Sequence, residues 1–534
     1  MTTHATDVLI VGAGPTGLTL ACDLTRRGID CRIVERSEAS FPGSRGAGIQ
    51  PRTREVFEDL EVLEAIHDAG GPFPHVMRWE GDEQLGTVDV IERNVATPDR
   101  PYGEIWMLPQ WRTVDILRAR FEKLGGRVES GSELISVGQD ADRVTATIRR
   151  PDGSSDIVTA GYLVAADGGR SIVRESLAVA FDRVDLDAPS MLVGDVVVDN
   201  LDYGYWHMWA AAAGGLVTLC PIKGGETFAF VVQFGAPGTE PDAERYGSVD
   251  ALQQLLSSRT GFDFEIRKVP FLSVLHPRIA MVDRFRVGRV FLAGDAAHVH
   301  APTGGQGMNT SIQDAYNLGW KLDAVLRHGA PDALLDTYQA ERHQVAADLL
   351  AQSTGILNRD QKDTKVGWTK RGSDTHQLDL AYRDSPLTVE ARTSVSDDAL
   401  RSGDRAPDAP GTDASGIPLR LFDLFRGTHF TLLAFGDTPS PQLPGDWVRT
   451  YRVRSPNSAP SPDAVTDTDG HAQNGYADHG LFLVRPDGYC ALATHDSDDV
   501  RAYLTWQHLG VERVGAEQIT NATLSGATSG TSTE

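Results

Sequence analysis

Three glycines near the start of the chain have the spacing that suits the phosphates of a dinucleotide. They are Gly12, Gly14 and Gly17, and they form the pattern G-x-G-x-x-G between a predicted strand and a predicted helix. The first permits a tight turn, the second lets the backbone approach a pyrophosphate, and the third lets helix and strand pack closely. Glu35 ends the next strand, 21 residues after Gly14, where it can accept hydrogen bonds from ribose hydroxyls. An acid there disfavours a 2′-phosphate, so we expect FAD or NAD rather than NADP at this turn.

Two aspartates follow predicted buried strands further along the chain. Asp167 and Gly168 come after the run Tyr162–Ala166, and Asp295 comes after Arg289–Ala293. A carboxylate at the end of such a strand can accept hydrogen bonds from the hydroxyls of a bound nucleotide. The alternatives are structural: a turn residue for Asp167 and a helix N-cap for Asp295.

A glycine-rich loop at 302–309 follows Asp295 and leads into a predicted helix. The N–H groups and the dipole of a helix that begins around Gly305 favour a negative charge. Reduced flavin carries such a charge near N1 and O2, and the glycines permit its close approach. This loop is therefore a candidate site for a flavin ring.

Metal and hydrolase chemistry are less well supported. Asp295, His298 and His300 lie within six residues without a fourth ligand, which matches neither type of zinc site, so we expect no metal. A serine hydrolase is disfavoured because no G-x-S-x-G sequence occurs. The four cysteines form no C-x-x-C pair, and we expect them to be buried thiols.

The elements that must position these motifs follow from the apolar patterns. Residues 7–36 predict a βαβ unit with its helix over about 17–27, and the segments 51–70, 114–124 and 333–357 predict further helices. These segments belong to a nucleotide-binding unit.

Two other regions differ in character. Residues 190–275 consist of β runs broken by Gly and Pro, which predict an antiparallel sheet inserted into the nucleotide-binding unit. A third unit begins at about 406, with a hairpin signal at Arg485–Gly488 and a last helix at Asp498–Leu509.

The composition limits the partners. With 50 Lys and Arg against 74 Asp and Glu, the net charge of −24 repels nucleic acids and anionic membrane surfaces. No run approaches the roughly 18 apolar residues of a membrane-spanning helix, and no secretory signal is visible. We expect a cytoplasmic protein that binds neither nucleic acid nor membrane.

The three motifs, in this order, resemble those of the class A FAD-dependent monooxygenases, the aromatic hydroxylases typified by para-hydroxybenzoate hydroxylase and phenol hydroxylase. The resemblance covers about residues 5–355. It implies an α/β fold, in which a Rossmann-like FAD-binding domain carries an inserted antiparallel β substrate domain. It also implies FAD bound non-covalently, NADPH or NADH as electron donor, and O2, which hydroxylates an aromatic ring through a flavin hydroperoxide. No second G-x-G-x-x-G is present, which agrees with a transiently bound nicotinamide.

The resemblance also implies the cofactor contacts. In the family the glycine turn binds the pyrophosphate, while the residues at Glu35 and Asp295 bind the adenosine ribose and the ribityl chain. The motif at Asp167 lies near the pyrophosphate and is implicated in NAD(P)H use, and Arg45 corresponds to an arginine near the isoalloxazine. The expected cofactor-binding residues are Gly12, Gly14, Pro15, Thr16, Gly17, Glu35, Arg36, Arg45, Gln110, Arg112, Leu134, Asp167, Gly168, Asp295, Pro302, Gly305, Gly307, Met308 and Asn309.

The substrate is expected between the flavin and the inserted sheet. Trp206, Met208 and Phe230 are candidate substrate contacts, and a core role is the alternative for each. Lys223 is the one cationic residue in 190–235, which argues against a carboxylate-clamped benzoate. We therefore expect a neutral or phenolic aromatic substrate, multi-ring or long-tailed as in secondary metabolism.

The catalytic candidates are Arg45, Pro302 and His75. An electrophilic oxygen attacks an electron-rich ring, so a base that removes or shares a phenol proton would help; the candidate bases are His75, His207 and His276, with a structural histidine as the alternative. Other functions stay open: an epoxidase, a Baeyer–Villiger enzyme, or a flavoprotein that binds an aromatic ligand without turnover.

The third unit resembles the C-terminal thioredoxin-like domain of larger class A hydroxylases. Its matching pieces are Gly403–Pro407, Leu421–Leu424 and Leu483–Gly488, and the missing C-x-x-C favours a structural or interface role, including a homodimer. We divide the chain into the FAD-binding domain (1–187 and 276–357), the substrate domain (188–275), a connector (358–405), the thioredoxin-like domain (406–514) and a flexible tail (515–534).

Overall fold

The computed structural model describes residues 3–39, 43–44, 46–223, 225–235, 240–301, 303–362, 370–396, 399–443, 445–456 and 464–509. These residues form a mixed α/β fold with three large sheets, as the sequence predicted. Arg45, Pro302 and the tail expected at 515–534 lie outside the described residues. None of the described helices is both long enough and apolar enough to cross a membrane.

The helices in chain order are α1 (Pro15–Arg26), α2 (Pro51–Asp59), α3 (Leu63–Ala69), α4 (Gln110–Lys123), α5 (Ile172–Ser176), α6 (Val249–Thr260), α7 (Gly307–Arg327), α8 (Asp336–Lys362), α9 (Leu421–Phe425), α10 (His471–Gly475) and α11 (Ser497–Leu509). Short 3-10 turns are Gly294–Ala296, Asp332–Leu335 and Ser373–Thr375.

The first eleven strands in chain order are β1 (Thr3–Val11), β2 (Cys31–Glu35), β3 (Gly48–Ile49), β4 (Gly71–Pro72), β5 (His75–Glu80), β6 (Glu83–Val88), β7 (Trp106–Met107), β8 (Val128–Ser130), β9 (Glu133–Gln139), β10 (Val144–Arg149) and β11 (Ser155–Ala165). The next are β12 (Phe181–Asp185), β13 (Ser190–Val198), β14 (Tyr205–Trp209), β15 (Val217–Ile222), β16 (Thr227–Phe234), β17 (Ile266–Leu275), β18 (Arg278–Val282), β19 (Arg286–Val287), β20 (Val290–Leu292) and β21 (His298–Val299). The last are β22 (Val389–Glu390), β23 (Pro410–Thr412), β24 (Pro418–Arg420), β25 (Phe430–Phe435), β26 (Val448–Arg454), β27 (Ala464–Thr466), β28 (Gly480–Val484) and β29 (Cys490–Thr494).

The first sheet has the order β19-β20-β11-β1-β2-β8, with β10 and β9 continuing from β11. Strand β1 is parallel to β11 and β2, and its apolar run is fully buried, as expected for a central parallel strand. Helix α1 begins at Pro15, two residues before the predicted start, because proline suits the first helical position. The single helix predicted at 51–70 is divided into α2 and α3, because Glu61 adopts a φ of 58° between them.

The second sheet has the order β17-β13-β16-β15-β14-β5-β6. Its strands from 190–275 match the predicted antiparallel insertion, but β5 and β6 come from His75–Val88, well before it, and β5 pairs in parallel with β14. One face packs on α6, where Leu252 and Leu256 meet Leu219 in a common core. The other face borders a large cavity.

The third sheet, with the order β22-β29-β28-β25-β26-β27-β23-β24, forms the C-terminal unit. Strand β25 is parallel to β26 and antiparallel to β28, and β28 is antiparallel to β29, an arrangement that agrees with the expected thioredoxin-like domain. The predicted hairpin turn Arg485–Gly488 joins β28 to β29, and Gly488 N donates to Arg485 O at 2.9 Å. Cys490 is buried, so its thiol is part of the core.

The segment predicted as a polar connector does more than join two units. Its described part supplies β22 to the third sheet, and Arg371, Thr375 and His376 line the cavity. Gln377, at a φ of 62°, is buried and donates from Nε2 to Gln306 Oε1 at 2.6 Å. The polar composition of the segment did not predict these contacts, because its buried side chains are held by hydrogen bonds rather than by apolar contacts.

Candidate active site

A cavity of about 1720 Å³ lies between the first and second sheets. Pockets for one drug-sized ligand usually have a volume of roughly 300–1,000 Å³. This cavity can therefore hold a dinucleotide together with a second molecule.

The glycine turn after β1 forms one end of the cavity. Gly12 has a φ of 102°, and an added Cβ would collide with the carbonyl oxygen of Ala166. A Cβ on Gly17 would collide with the carbonyl oxygen of Gly12. Gly14, the N-cap of α1, differs because a Cβ there would meet nothing within 4 Å. Packing requires the first and third glycines, whereas Gly14 leaves open the space that a phosphate would fill. Pro15, Thr16 and Arg36 also line the cavity.

Glu35 supports this turn from the end of β2. Its Oε2 accepts a hydrogen bond from Ala13 N at 2.9 Å, and its Oε1 accepts one from Ser37 N at 2.9 Å. The carboxylate does not line the cavity, but each oxygen keeps a further acceptor direction for a ribose hydroxyl.

The opposite wall is built by Asp295 and the start of α7. Asp295 lies in the 3-10 turn directly after β20, exposed towards the cavity. Gly304 and Gly305 have φ values of 73° and 65° and bend the chain into α7, a helix of 21 residues. Gly305, Gly307 and Met308 line the cavity, so the positive end of the helix dipole borders it.

Asn309 acts behind this wall. It is fully buried and does not line the cavity. Its Oδ1 accepts from Gln50 N at 2.8 Å, and its Nδ2 donates to Gly48 O at 2.9 Å and to Gly305 O at 2.6 Å. Asn309 therefore joins strand β3 to the first turn of α7.

Several buried oxygens on the cavity wall lack partners among the described residues. Two of them, Asp167 Oδ1 and Gln50 Oε1, belong to groups that accept hydrogen bonds. The other oxygen of Asp167, Oδ2, accepts from Val173 N at 3.3 Å, and burial raises the pKa of this carboxyl. Gly168 beside it has a φ of 79° and open space around its Cα. Both acceptors suit the hydroxyl groups of a bound nucleotide, so the residues present fit FAD.

The remaining cofactor candidates are placed differently. Gln110 begins α4 and lines the cavity, and its backbone N–H donates to Gly46 O at 2.7 Å. Arg112 is exposed outside the cavity lining, and the side chain of Leu134 is buried in the core of the first sheet. Leu134 can reach a ligand through its backbone alone.

Trp206 and Phe230 of the second sheet both line the cavity, but the Phe230 ring points to the opposite face of the sheet. Trp206 lines the cavity and its ring lies 5.2 Å from that of Phe73. Met208 shares this face but is completely covered by the cluster that contains Phe73 and Ile91. The Phe230 ring packs in the α6 core. It lies on the same face of the sheet as Gly194, so close that a Cβ added to Gly194 would collide with the ring. Successive side chains of a strand point to opposite faces of the sheet, so the position of each residue on its strand decides which face its side chain occupies.

The three candidate bases lie in three different environments. His75 has a side chain that is 59% exposed and is paired with Asp89 at 2.8 Å, outside the cavity lining. His207 is buried on the α6 face and accepts from Trp79 Nε1 at 3.0 Å, and burial lowers its pKa. His276 lines the cavity, where its Nδ1 lies 2.9 Å from Ser190 Oγ.

Cationic side chains reach the cavity from outside the 190–235 range. Arg183 and Arg278 lie on β12 and β18, which pair with each other, and both line the cavity together with Lys223. Residues 190–235 therefore do not contain all the cations of the substrate side, since the cavity wall is assembled from distant strands.

The sequence did not predict a hydrogen-bonded chain of buried side chains that leads from the cavity to α7 and α8. His300 lines the cavity, and its Nε2 lies 3.1 Å from His298 Nδ1. His298 Nε2 is 2.6 Å from Asp314 Oδ2, and Arg342 Nε donates to Asp314 Oδ1 at 2.8 Å. Burial lowers the pKa of His300 to about 3. Among the described residues no cluster of three metal-binding side chains is present, and both histidines take part in this hydrogen-bonded chain.

The comparison with protein families agrees with this geometry. Residues 5–353 match the family of the FAD binding domain, and residues 400–508 match the family described as aromatic-ring hydroxylase, C-terminal. The chain belongs to the FAD-dependent aromatic-ring hydroxylases. This hydroxylase is accordingly an FAD-dependent monooxygenase, as its three motifs predicted.

Relatives of the hydroxylase match it over nearly its whole length. A flavin-dependent monooxygenase of Mycobacteroides abscessus is 41% identical over 93% of this chain and 99% of its own. The 6-methylpretetramide 4-monooxygenase of Streptomyces rimosus is 39% identical over 91% of this chain and 90% of its own. The crystal structure of aklavinone-11 hydroxylase in ternary complex with FAD and aklavinone has a TM-score of 0.76, with 28% identity over 95% of this chain and all of that one.

Proposed function

We propose that the hydroxylase uses NADPH or NADH together with O2 to hydroxylate a bulky phenolic aromatic compound. The observation that carries this proposal is one continuous cavity, in which the residues that we assign to flavin binding lie opposite the second sheet. Its volume of about 1720 Å³ exceeds the roughly 300–1,000 Å³ of a pocket for one drug-sized ligand, which leaves room for a bulky substrate beside the flavin. Relatives named for 6-methylpretetramide and aklavinone support a substrate of that size.

The cofactor side of the proposed site uses residues that already have the required geometry. Gly14 and the start of α1 take the pyrophosphate, Glu35 takes the adenosine ribose, and Asp295 takes the ribityl hydroxyls. The first turn of α7 stabilises negative charge on the pyrimidine edge of the ring. Reduced FAD supplies the electrons that activate O2, and the chain excludes water and orients both reactants.

The substrate side of the site is largely apolar. Trp206, Val193 and Val231 form a wall against which an aromatic ring can stack or pack. Arg183 and Arg278 at its rim can hold an ionised or polar substituent of the substrate. His276 is the candidate base that borders the cavity, so we propose it instead of His75 as the group that shares a phenol proton.

The test is oxidation of NADPH and of NADH in the presence of a graded panel of phenols. The panel runs from para-hydroxybenzoate through simple phenols to three-ring and four-ring phenols, under labelled O2. We expect the bulky members to accelerate oxidation of the nicotinamide and to gain one labelled oxygen atom each. Turnover of para-hydroxybenzoate alone would overturn the size argument, and tight binding of the bulky phenols without oxidation would identify a binding protein.

A further inference from the structure

Asp195 occupies an unusual position on the second sheet. It follows Val193 by two residues on β13, so its side chain lies on the cavity face of the sheet. The residue is only 3% exposed. Its Oδ2 accepts a hydrogen bond from Ser44 N at 3.1 Å, and its Oδ1 has no partner among the described residues. Burial raises the pKa of Asp195 to about 6.

Ser44 belongs to the cofactor-facing segment, which we define as Gly43, Ser44 and Gly46–Gln50. Ser44 and Gly46–Gly48 line the cavity. At its far end, Gly48 O accepts from Asn309 Nδ2 at 2.9 Å, and Ala47 O accepts from Leu108 N at 2.7 Å. These bonds fasten the segment to the FAD-binding unit.

The near end of the segment is fastened to the substrate sheet instead. Besides the bond from Ser44 to Asp195, Gly43 packs so closely on the ring of Phe271 that an added Cβ would collide with it. Asp195 and Phe271 are directly opposite each other on β13 and β17. The segment therefore spans from the substrate sheet to the flavin wall.

We propose that Asp195 is a positioning residue that holds the cofactor-facing segment against the substrate sheet and so sets the shape of the flavin pocket. An apolar side chain would suit this buried wall better, because a buried polar atom without a partner costs free energy. Sites that break such a packing rule are commonly functional. What Asp195 supplies is an acceptor for the Ser44 N–H at the junction of the two units.

This inference rests on FAD binding in the cavity, and binding of FAD itself tests it. Full-length apoprotein is titrated with FAD, and flavin fluorescence gives Kd for the wild type, Asp195→Leu and Asp195→Asn. Hydrogen exchange of the backbone amides of Ser44 and Gly46–Gln50 is measured in the FAD-bound protein. The matched control is Asp199→Leu, because Asp199 follows the same strand but is 48% exposed and paired with Arg267.

We expect Asp195→Leu to raise the Kd for FAD about tenfold, the equivalent of one hydrogen bond to a charged group, and to speed exchange of the segment. The melting temperature of its apoprotein should not fall, since leucine keeps the volume and removes a buried charge. Asp195→Asn keeps an acceptor and should stay within about threefold of the wild type.

Three results would overturn the inference. The first is an unchanged Kd for FAD and an unchanged exchange rate in Asp195→Leu. The second is a loss of FAD affinity in Asp195→Asn equal to that in Asp195→Leu. The third is a fall in the melting temperature of the Asp195→Leu apoprotein, since the loss of affinity would then follow from a less stable fold. If Asp195→Leu does not fold, Asp195→Ala is measured against the same expectations. A wild-type chain that binds no FAD would contradict the cofactor assignment instead, so the two failures are distinguishable.

Discussion

Arg485, in the turn between β28 and β29, and Glu341, on α8, form a doubly bonded ion pair that is completely buried. The distances are 2.6 Å from Nη1 to Oε1 and 3.0 Å from Nη2 to Oε2. Glu341 also accepts from Lys321 Nζ on α7 at 2.7 Å, and Asn317 Nδ2 bonds to both Glu341 and Asp487. The C-terminal unit thus supplies a positive charge to a buried cluster of polar side chains on α7 and α8.

Replacing Arg485 should therefore destabilise the whole protein. Arg485→Met leaves Glu341 with one cation fewer in a buried site, and loss of one partner of such a pair usually costs about 3–5 kcal/mol of unfolding free energy. Thermal and urea unfolding of the holoprotein measure the effect. The control is Arg383→Met, whose side chain is 56% exposed in a pair with Asp404, and it should cost less than about 1 kcal/mol. Equal stabilities for both variants would show that the units are energetically independent.

Gly14 and Gly17 should fail in different ways when valine replaces them. A side chain on Gly14 enters open cavity space, so Gly14→Val should fold with a near-normal melting temperature as apoprotein but lose FAD. A side chain on Gly17 collides with the backbone of Gly12, so Gly17→Val should melt lower whether or not FAD is present. Bound flavin absorbance and calorimetry separate the two effects. Full FAD content in Gly14→Val would refute the pyrophosphate assignment.

Asp295→Ala should weaken FAD binding by about tenfold or more, because the loss removes a charged acceptor for ribityl hydroxyls. The fold should be little affected, since the carboxylate is exposed towards the cavity. Asp283→Ala is a suitable control because Asp283 is 58% exposed in a surface pair with Arg284. Equilibrium dialysis with FAD gives both affinities, and matching values for the two variants would contradict the assignment.

Asp195 should make stability depend on pH. Burial raises its pKa from 3.8 to about 6, so the folded state binds the proton more tightly than the unfolded chain does. This group's contribution is most favourable below about pH 4, falls as the pH rises to about 6, and is constant above. The total change is about 2–3 kcal/mol. Urea unfolding between pH 4 and pH 8 should show this fall in the wild type relative to Asp195→Asn, and parallel curves for the two proteins would contradict it.

Local patterns were enough to predict the elements around the cofactor. The run before Gly12, the glycine spacing and the acid at Glu35 describe contacts between neighbours in one βαβ unit, so the sequence contains all of the information. The turn at Arg485–Gly488 was predictable for the same reason, since turn geometry depends on a few adjacent residues. The cofactor and the enzyme family followed from these motifs.

The tertiary structure alone decided which side chains meet across the cavity. Trp206 and Phe230 are both large aromatic residues on strands that border the cavity, but strand alternation points the Phe230 ring into the α6 core. Asp195 and Ser44 are 151 residues apart, and Arg485 and Glu341 are 144 apart, so no local pattern could pair them. Such contacts arise when distant segments are packed together, because burial of a polar group requires whichever partner the fold brings near it.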